Sequence, residues 1–448
     1  MLTRMRLAAT LGLLTVAGVS VRAAVPPPKL QYEVLTLPNG LTAVFSEDHS
    51  TPIVHLQVTY HVGSKNERPG RTGFAHLFEH LMFKGSQNVG AEDHTSMVAS
   101  VGGQSNAYTT DDETVYWETV PSQYLPLVTW MEADRMATLK IDRENFENER
   151  LVVKEERRMR IDNQPYGRLN EMVYDQVFTT HPYKHATIGS MVDLEAASVA
   201  DVQDFYRTFY VPENATVTIV GDFDLAQAKS LVELYFGRVP KAAHPVPRDI
   251  PREPPQTAEK RVTLEAPWPL PAVVVAYRIT YDGHPDSYPL HIAAKVLSDG
   301  QSSRIYRTLV YERQLAVAAF GTAHLIEDPN VFYAVAIVAP GQKPAAAAEA
   351  LIAEIERLKT TPVTDRELQR TKNQFARDYI LGRESIQDKA LQLSHAAVLH
   401  HDIRTADGEF DIFQRITTTD VQRVAQTYFT AQNRTVITIL PSQSGGAQ

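Results

Sequence analysis

Apolar and polar positions change rhythm repeatedly along this chain, and each rhythm predicts an element. Tyr32 to Phe45, broken by Asn39-Gly40, reads as a hairpin, and Ile53 to Tyr60 reads as a strand. From Phe74 the period lengthens. At about 100° per residue, Phe74, Leu77, Phe78, Leu81 and Met82 gather on one side of a helix, while His76, Glu79 and His80 share the opposite arc. Val273 to Tyr281 is a second strand of this kind, and it too leads into a helix, through His291-Ile292-Ala293-Ala294-Lys295. Strands and helices mix without strict βαβ alternation, which predicts an α+β fold.

The two stretches belong to two related halves. Asp201-Val202-Gln203 leads through a helical segment to Asn214-Ala215-Thr216-Val217-Thr218-Ile219. Asp420-Val421-Gln422 leads to Asn433-Arg434-Thr435-Val436-Ile437-Thr438-Ile439, and in both the Asn lies twelve positions after the Val. A shared helix-turn-strand closing each half predicts duplication of a domain of roughly 200 residues. The Pro-rich stretch 239–260 reads as the linker between an N-terminal domain, 30–238, and a C-terminal domain, 261–441. Where the second helix keeps His291, it has Ala294 and Lys295 in place of Glu79 and His80, so only the first half carries the metal-binding pattern.

Composition narrows the function classes. With 448 residues, 43% hydrophobic and 22% charged, the chain is an ordinary globular protein of more than one domain. A net charge of −9 without a basic stripe argues against nucleic acid as a partner. There are no cysteines, which excludes disulfides and leaves His, Asp and Glu as the strong metal ligands. Arg4 and Arg6 precede an apolar run from Leu7 to Val21 that exits through Val21-Arg22-Ala23-Ala24, the pattern of a secretory signal peptide over residues 1–23, cut after Ala23. The run is shorter than the roughly 20 residues a membrane span needs, so no stable membrane anchor is expected. A periplasmic or secreted location follows. The tail, 442–448, is expected to be disordered.

The candidate chemistry lies in His76-Leu77-Phe78-Glu79-His80. Two His at i and i+4 can grip one metal ion, and a carboxylate beside them can act as a base toward water; the spacing is the inverted zinc-protease motif. Alone it also fits an amphipathic helix with a polar face. A third ligand is needed. The segment after Asp142 and Asn145 looks helical and puts Glu149 and Glu156 near one face, but spacing does not choose between Glu155 and Glu156.

Three segments taken together resemble the pitrilysin/insulinase family of zinc peptidases: Gly73 through Ser86, Asn106-Ala107-Tyr108-Thr109, and Glu149 through Glu156. The likeness is greatest to its half-length branch, which includes the mitochondrial processing peptidases. The resemblance implies two duplicated α/β-sandwich domains. It implies one Zn2+ per chain on His76, His80 and Glu156, with Glu79 as general base and Glu149 in support behind the ligands. It also implies that Asn106, Ala107, Tyr108 and Thr109 form a strand that pairs with an extended peptide substrate. The expected activity is that of a zinc endopeptidase acting on short or unfolded peptides. Active members further use an Arg and a Tyr seven residues apart, and those positions here hold Val310 and Val317, neither of which can donate a hydrogen bond. A zinc-bearing subunit paired with a homologous chain that lacks the zinc motif but carries the Arg/Tyr pair is therefore expected. A homodimer is the competing arrangement, and a non-catalytic scaffold or peptide-binding subunit the competing role.

Overall fold

In the computed structural model the described residues are 27–442. The signal-peptide segment, 1–23, lies outside them. Of the tail only Ser442 lies inside, where its N–H donates to the Ala266 carbonyl at 2.8 Å.

Among the described residues, eleven strands form two sheets. The first comprises β1 (Glu33–Thr36), β2 (Thr42–Glu47), β3 (Ile53–Tyr60), β4 (Gln104–Thr109), β5 (Thr114–Pro121) and β6 (Ala215–Gly221). The second comprises β7 (Lys260–Ala266), β8 (Ala272–Arg278), β9 (Ala316–Ala323), β10 (Val331–Val338) and β11 (Arg434–Pro441). Their orders, β1-β2-β6-β3-β5-β4 and β7-β11-β8-β10-β9, are the same once β1 is set aside. Each contains one parallel pair, β2 with β6 and β7 with β11. The hairpin is present, with Gly40 at φ 95° in its turn, and it adds β1 to the first sheet alone.

The repeated Asn has a physical reason. In each half a helix, Val199–Phe209 or Thr418–Tyr428, starts on a capping box (Ser198 with Asp201, Thr417 with Asp420) and is followed by the Asn. Asn214 Nδ2 donates to the Phe209 carbonyl at 2.8 Å and the His61 carbonyl at 3.2 Å. Asn433 Nδ2 donates to Tyr428 at 2.7 Å and Arg278 at 2.8 Å. One amide thus satisfies a helix-end carbonyl and ties it to the neighbouring strand.

The main core of each half lies between its sheet and its own helices. The opposite sheet faces are covered by exchange. Helix Leu169–Val177 of the first half lays Leu169, Val173 and Val177 against Val274, Tyr333 and Ile437 of the second sheet. Helix Ile386–Val398 of the second half lays Ile386, Ala390 and Leu393 against Val44 and Val220 of the first. The polar side of β3 is buried beneath that helix, where Ser394 Oγ meets Gln57 Nε2 at 2.9 Å and Thr59 Oγ1 at 2.7 Å. No periodicity announces this exchange, because an apolar helix face does not name its partner.

Residues 240–259 contain no helix or strand, and Lys260 already belongs to β7. The stretch is nonetheless pinned. The Glu253 carboxylate accepts the N–H groups of Thr179, Thr180 and His181 and pairs with Arg278 at 2.9 Å. Because Leu393 joins the halves from a fully buried position, Leu393→Ala is expected to cost about 2–5 kcal/mol. Urea denaturation followed by tryptophan fluorescence should show a lower midpoint, with both halves lost in the same transition.

Candidate active site

The helix bearing the motif spans Phe74–Leu81. Its apolar face is buried as the sequence pattern requires, with Leu77, Phe78 and Leu81 fully inaccessible, and Phe78 stacks on Phe205 and Tyr210 at 5.4 and 4.8 Å between centroids. Its start is held by a residue the sequence pattern did not single out. The buried Glu67 carboxylate accepts the N–H of Gly73 and of Ala75, both at 2.8 Å, doing from a distance what a local cap would do. Gly73 is at φ 92°, and a side chain there would meet the Ile188 carbonyl at 2.7 Å.

The second helix, Arg143–Arg157, starts where expected, with the Asp142 side chain accepting from Asn145 N–H at 2.9 Å. Asn145 Nδ2 also donates to the Lys84 carbonyl at 3.0 Å, which fixes this helix to the end of the motif segment. Glu156 lies in the last turn, and a π-helical turn, Arg158–Asp162, follows at once.

These two helices bring His76, His80 and Glu156 together. Glu156 Oε2 is 3.6 Å from His76 Nε2 and 3.2 Å from His80 Nε2, and one ligand atom from each of the three lies within 4.8 Å of the others. Ligands bonded to zinc at about 2.0–2.1 Å in a tetrahedron are about 3.3–3.4 Å apart, so the three atoms stand at zinc-site spacing. Two imidazoles and a carboxylate, with room for a fourth ligand, match the donor set of an open zinc site. The residues fit the metal. Glu155 points away, with its side chain 58% exposed and paired to Arg158 at 3.0 Å, which separates it from Glu156. Arg160, one turn on, holds the other oxygen of Glu156 at 2.5 Å; its only signal in the sequence is the i, i+4 spacing.

Glu149 sits behind the ligands. Its Oε2 is 3.3 Å from His80 Nδ1 and its Oε1 3.1 Å from Lys84 Nζ. This carboxylate orients the ring so that Nε2 faces the centre. The two histidines are electrostatically unlike. Burial and the neighbouring His80 push His76 down to about 4. His80 is also pulled down by burial, but its bond to Glu149 and the charge on Glu156 outweigh that and raise it. Burial raises Glu79, against a 2.6 Å hydrogen bond from Thr109 Oγ1 to its Oε2.

Strand β4 forms the edge of the first sheet, paired through Asn106↔Trp117 and Ala107↔Tyr116 to β5 on one side. Asn106 is exposed, and its Oδ1 accepts the Ala107 N–H at 2.9 Å. Tyr108 turns its hydroxyl to Glu113 at 3.3 Å, and the Thr109 hydroxyl goes to Glu79. Of the four, Thr109 lines a cavity of about 340 Å³ shared with His76, Glu156, Arg160, Tyr174 and His324. Tyr174 comes from the exchanged helix and His324 from the β9–β10 turn, so the cavity lies at the joint between halves.

In the second half, His291 is packed against the rings of Phe375 and Phe413 at 6.5 and 5.5 Å, and burial lowers it to about 4. Val317 lies half-exposed on β9, the edge of the second sheet, and Val310 packs against that half's core. Nearby Tyr311 sends its hydroxyl to Gln301 at 3.3 Å.

A fold of two repeated sheets with an inverted zinc-protease motif in only the first is the arrangement of one peptidase family, and the comparisons agree. Residues 42–190 match the family described as Insulinase (Peptidase family M16), and residues 196–375 match the Peptidase M16 inactive domain. The chain is 31% identical over 432 residues, 96% of its own length and 97% of the relative's, to the zinc protease PqqE of Helicobacter pylori. It is 28% identical over 221 residues, 49% of this chain and 47% of the relative, to the mitochondrial-processing peptidase subunit beta of Saccharomyces cerevisiae. The crystal structure of a protease from Helicobacter pylori superposes with a TM-score of 0.87 at 31% identity, covering 92% of this chain and all of that one (100%). The chain is therefore a half-length member of the pitrilysin/insulinase (M16) family, with its two-domain fold. Among the described residues no helix is long and apolar enough to cross a membrane.

If Glu149 orients His80, Glu149→Gln should weaken zinc binding about 10–100-fold. Competition with a chromogenic chelator measures this, and unchanged affinity would mean that Glu149 acts only on Lys84.

Proposed function

We propose that this protein is a zinc-dependent endopeptidase that hydrolyses short or unfolded peptides. The observation that carries the reading is the convergence of His76, His80 and Glu156 beside Glu79, within reach of an unpaired strand edge. His76, His80 and Glu156 would hold one zinc ion per chain. Zinc, when bound, supplies Lewis-acid polarisation and makes water more acidic.

The remaining work falls to side chains and backbone. The outer edge of β4, around Asn106 and Ala107, pairs with an extended peptide through main-chain hydrogen bonds, a mode that does not depend on side-chain identity. Thr109 donates to one oxygen of Glu79 and so directs the carboxylate. Glu79 takes the proton of the attacking water and delivers it to the leaving amine nitrogen. The raised proton affinity that burial gives Glu79 suits it to both transfers. Glu79→Gln should retain zinc and lose cleavage of a quenched fluorescent peptide by at least ~100-fold. A variant that binds zinc and cleaves normally would remove Glu79 from the mechanism.

The site lacks the Arg/Tyr donors that the family uses to orient the substrate carbonyl, since Val310 and Val317 stand in their places. We infer that a homologous subunit without the zinc motif supplies them, and that this chain is the zinc-bearing member of a heterodimer exported to the periplasm or beyond. A yeast relative named as the beta subunit of a processing peptidase supports a divided architecture. The zinc-loaded chain alone should then be nearly silent toward the peptide, with activity appearing when a homologous chain carrying the pair is added. Strong Glu79-dependent cleavage by the chain alone would overturn the need for a partner and leave the peptidase reading intact.

A further inference from the structure

Among the described residues, four groups of three His, Asp or Glu side chains bring ligand atoms within 4.8 Å of one another. One is the His76 site. Two of the others already hold a cation. Lys65 Nζ lies 2.6 Å from Glu327 in the group with His61 and His401, and the Arg135 guanidinium pairs with both carboxylates of the His94–Glu118–Glu132 group. The fourth group is Asp282 with His395 and His400. Its carboxylate has no lysine or arginine partner; the two imidazoles are its ion-pair partners, at 3.5 and 2.8 Å.

Hydrogen bonding around His400 assigns its two ring nitrogens to different partners. The single proton of Thr405 Oγ1 is donated to the Asp402 carbonyl at 2.8 Å. His400 Nδ1 lies 2.9 Å from the same hydroxyl and is engaged there, on the side away from Asp282. Nε2 is therefore the ring nitrogen turned to Asp282 Oδ2, at 2.8 Å. Asp282 Oδ1 is occupied by the Gly283 N–H at 3.0 Å, so Oδ2 is the oxygen left for the imidazoles. Two further carboxyl groups act on the cluster. Buried Glu113, whose Oε2 has no hydrogen-bond partner, acts electrostatically on His395. Glu409 is held above the usual carboxylate range by burial and by Asp282. The nearby Arg383 is committed to Asp407 at 2.7 Å.

We propose that Asp282, His395 and His400 form a second divalent-metal site, of the zinc class, at the joint between the two halves. Two imidazoles and one carboxylate from separated segments are a donor set suited to zinc. The site adjoins Ser394, which is bonded to Gln57 and Thr59 of β3. An ion there fastens the exchanged helix to the segment following β8, and so holds the two sheets in the relation that shapes the cavity. Its role is structural and does not depend on the peptidase reading.

The test is metal content. Untagged full-length chain is stripped with a chelator, loaded with Zn2+ in the presence of a weak competing chelator, and assayed by inductively coupled plasma mass spectrometry. His76→Ala/His80→Ala should keep one zinc per chain, and its thermal midpoint should rise on zinc addition. Adding His395→Ala, or Asp282→Asn where that variant folds poorly, should abolish both the bound zinc and the rise. Absence of tight zinc on the His76→Ala/His80→Ala chain, or retention of it after His395→Ala, would overturn the proposal; the first result would leave the cluster as a hydrogen-bonded Asp–His–His network.

Discussion

Neither sheet of this protein can be buried by its own half, and that constraint shapes the rest of the molecule. Both β3 and β8 are inaccessible on both faces, so each needs cover on the side away from its own core. The halves meet the need reciprocally, each lending one helix to the other's sheet. The exchange turns a tandem repeat into one body, because withdrawing either helix would expose Val44 and Val220 or Val274 and Ile437 to water. It also places Tyr174 and His324 across from His76 and Glu156, making the cavity a property of the joint rather than of either half.

Buried charge is arranged around that joint with consistent logic. Where carboxylates are buried together, a cation lies among them: Lys65 with Asp112, Glu327 and Asp328, and Arg135 with Glu118 and Glu132. Such clusters are stable only when the desolvated charges are paired. In the His76–His80–Glu156 centre Arg160 engages the Glu156 oxygen that the histidines do not, and in the Asp282–His395–His400 cluster the ion-pair partners of the carboxylate are the two imidazoles. Both pair imidazole nitrogens with a carboxylate, and in both a neighbouring group (Glu149 or Thr405) takes up the far ring nitrogen of a histidine. The same kinds of contact that stabilise the fold elsewhere thus gather donor atoms of the type that hold a metal ion.

Duplication left the second half with the scaffold and without the chemistry. His291 occupies the place of the first motif histidine, but aromatic rings surround it where a carboxylate would be needed. Burial lowers both His291 and His76 to about 4, yet only His76 faces a second imidazole and Glu156. The edge strand β9 corresponds to β4, and it presents a half-exposed Val317.

Much of this was legible in the chain. Periodicity located the hairpin, β3, the motif helix and its buried face, since side-chain direction follows local backbone geometry. The repeated Val-to-Asn interval revealed the duplication, and the spacing of His76, Glu79 and His80 put two imidazoles and a carboxylate on one face, because a helix turns by a constant angle. Other features depended on contacts between segments far apart in sequence. Glu155 and Glu156 are equivalent as letters and differ only once the helix is docked, when one faces solvent and the other two imidazoles. Glu67 caps a helix from six residues before its N-cap, Thr109 engages Glu79 across a strand edge, and Asp282 meets His395 through a fold. The helix exchange belongs with these: an amphipathic face states that it must be buried, and only the packed tertiary structure decides against what.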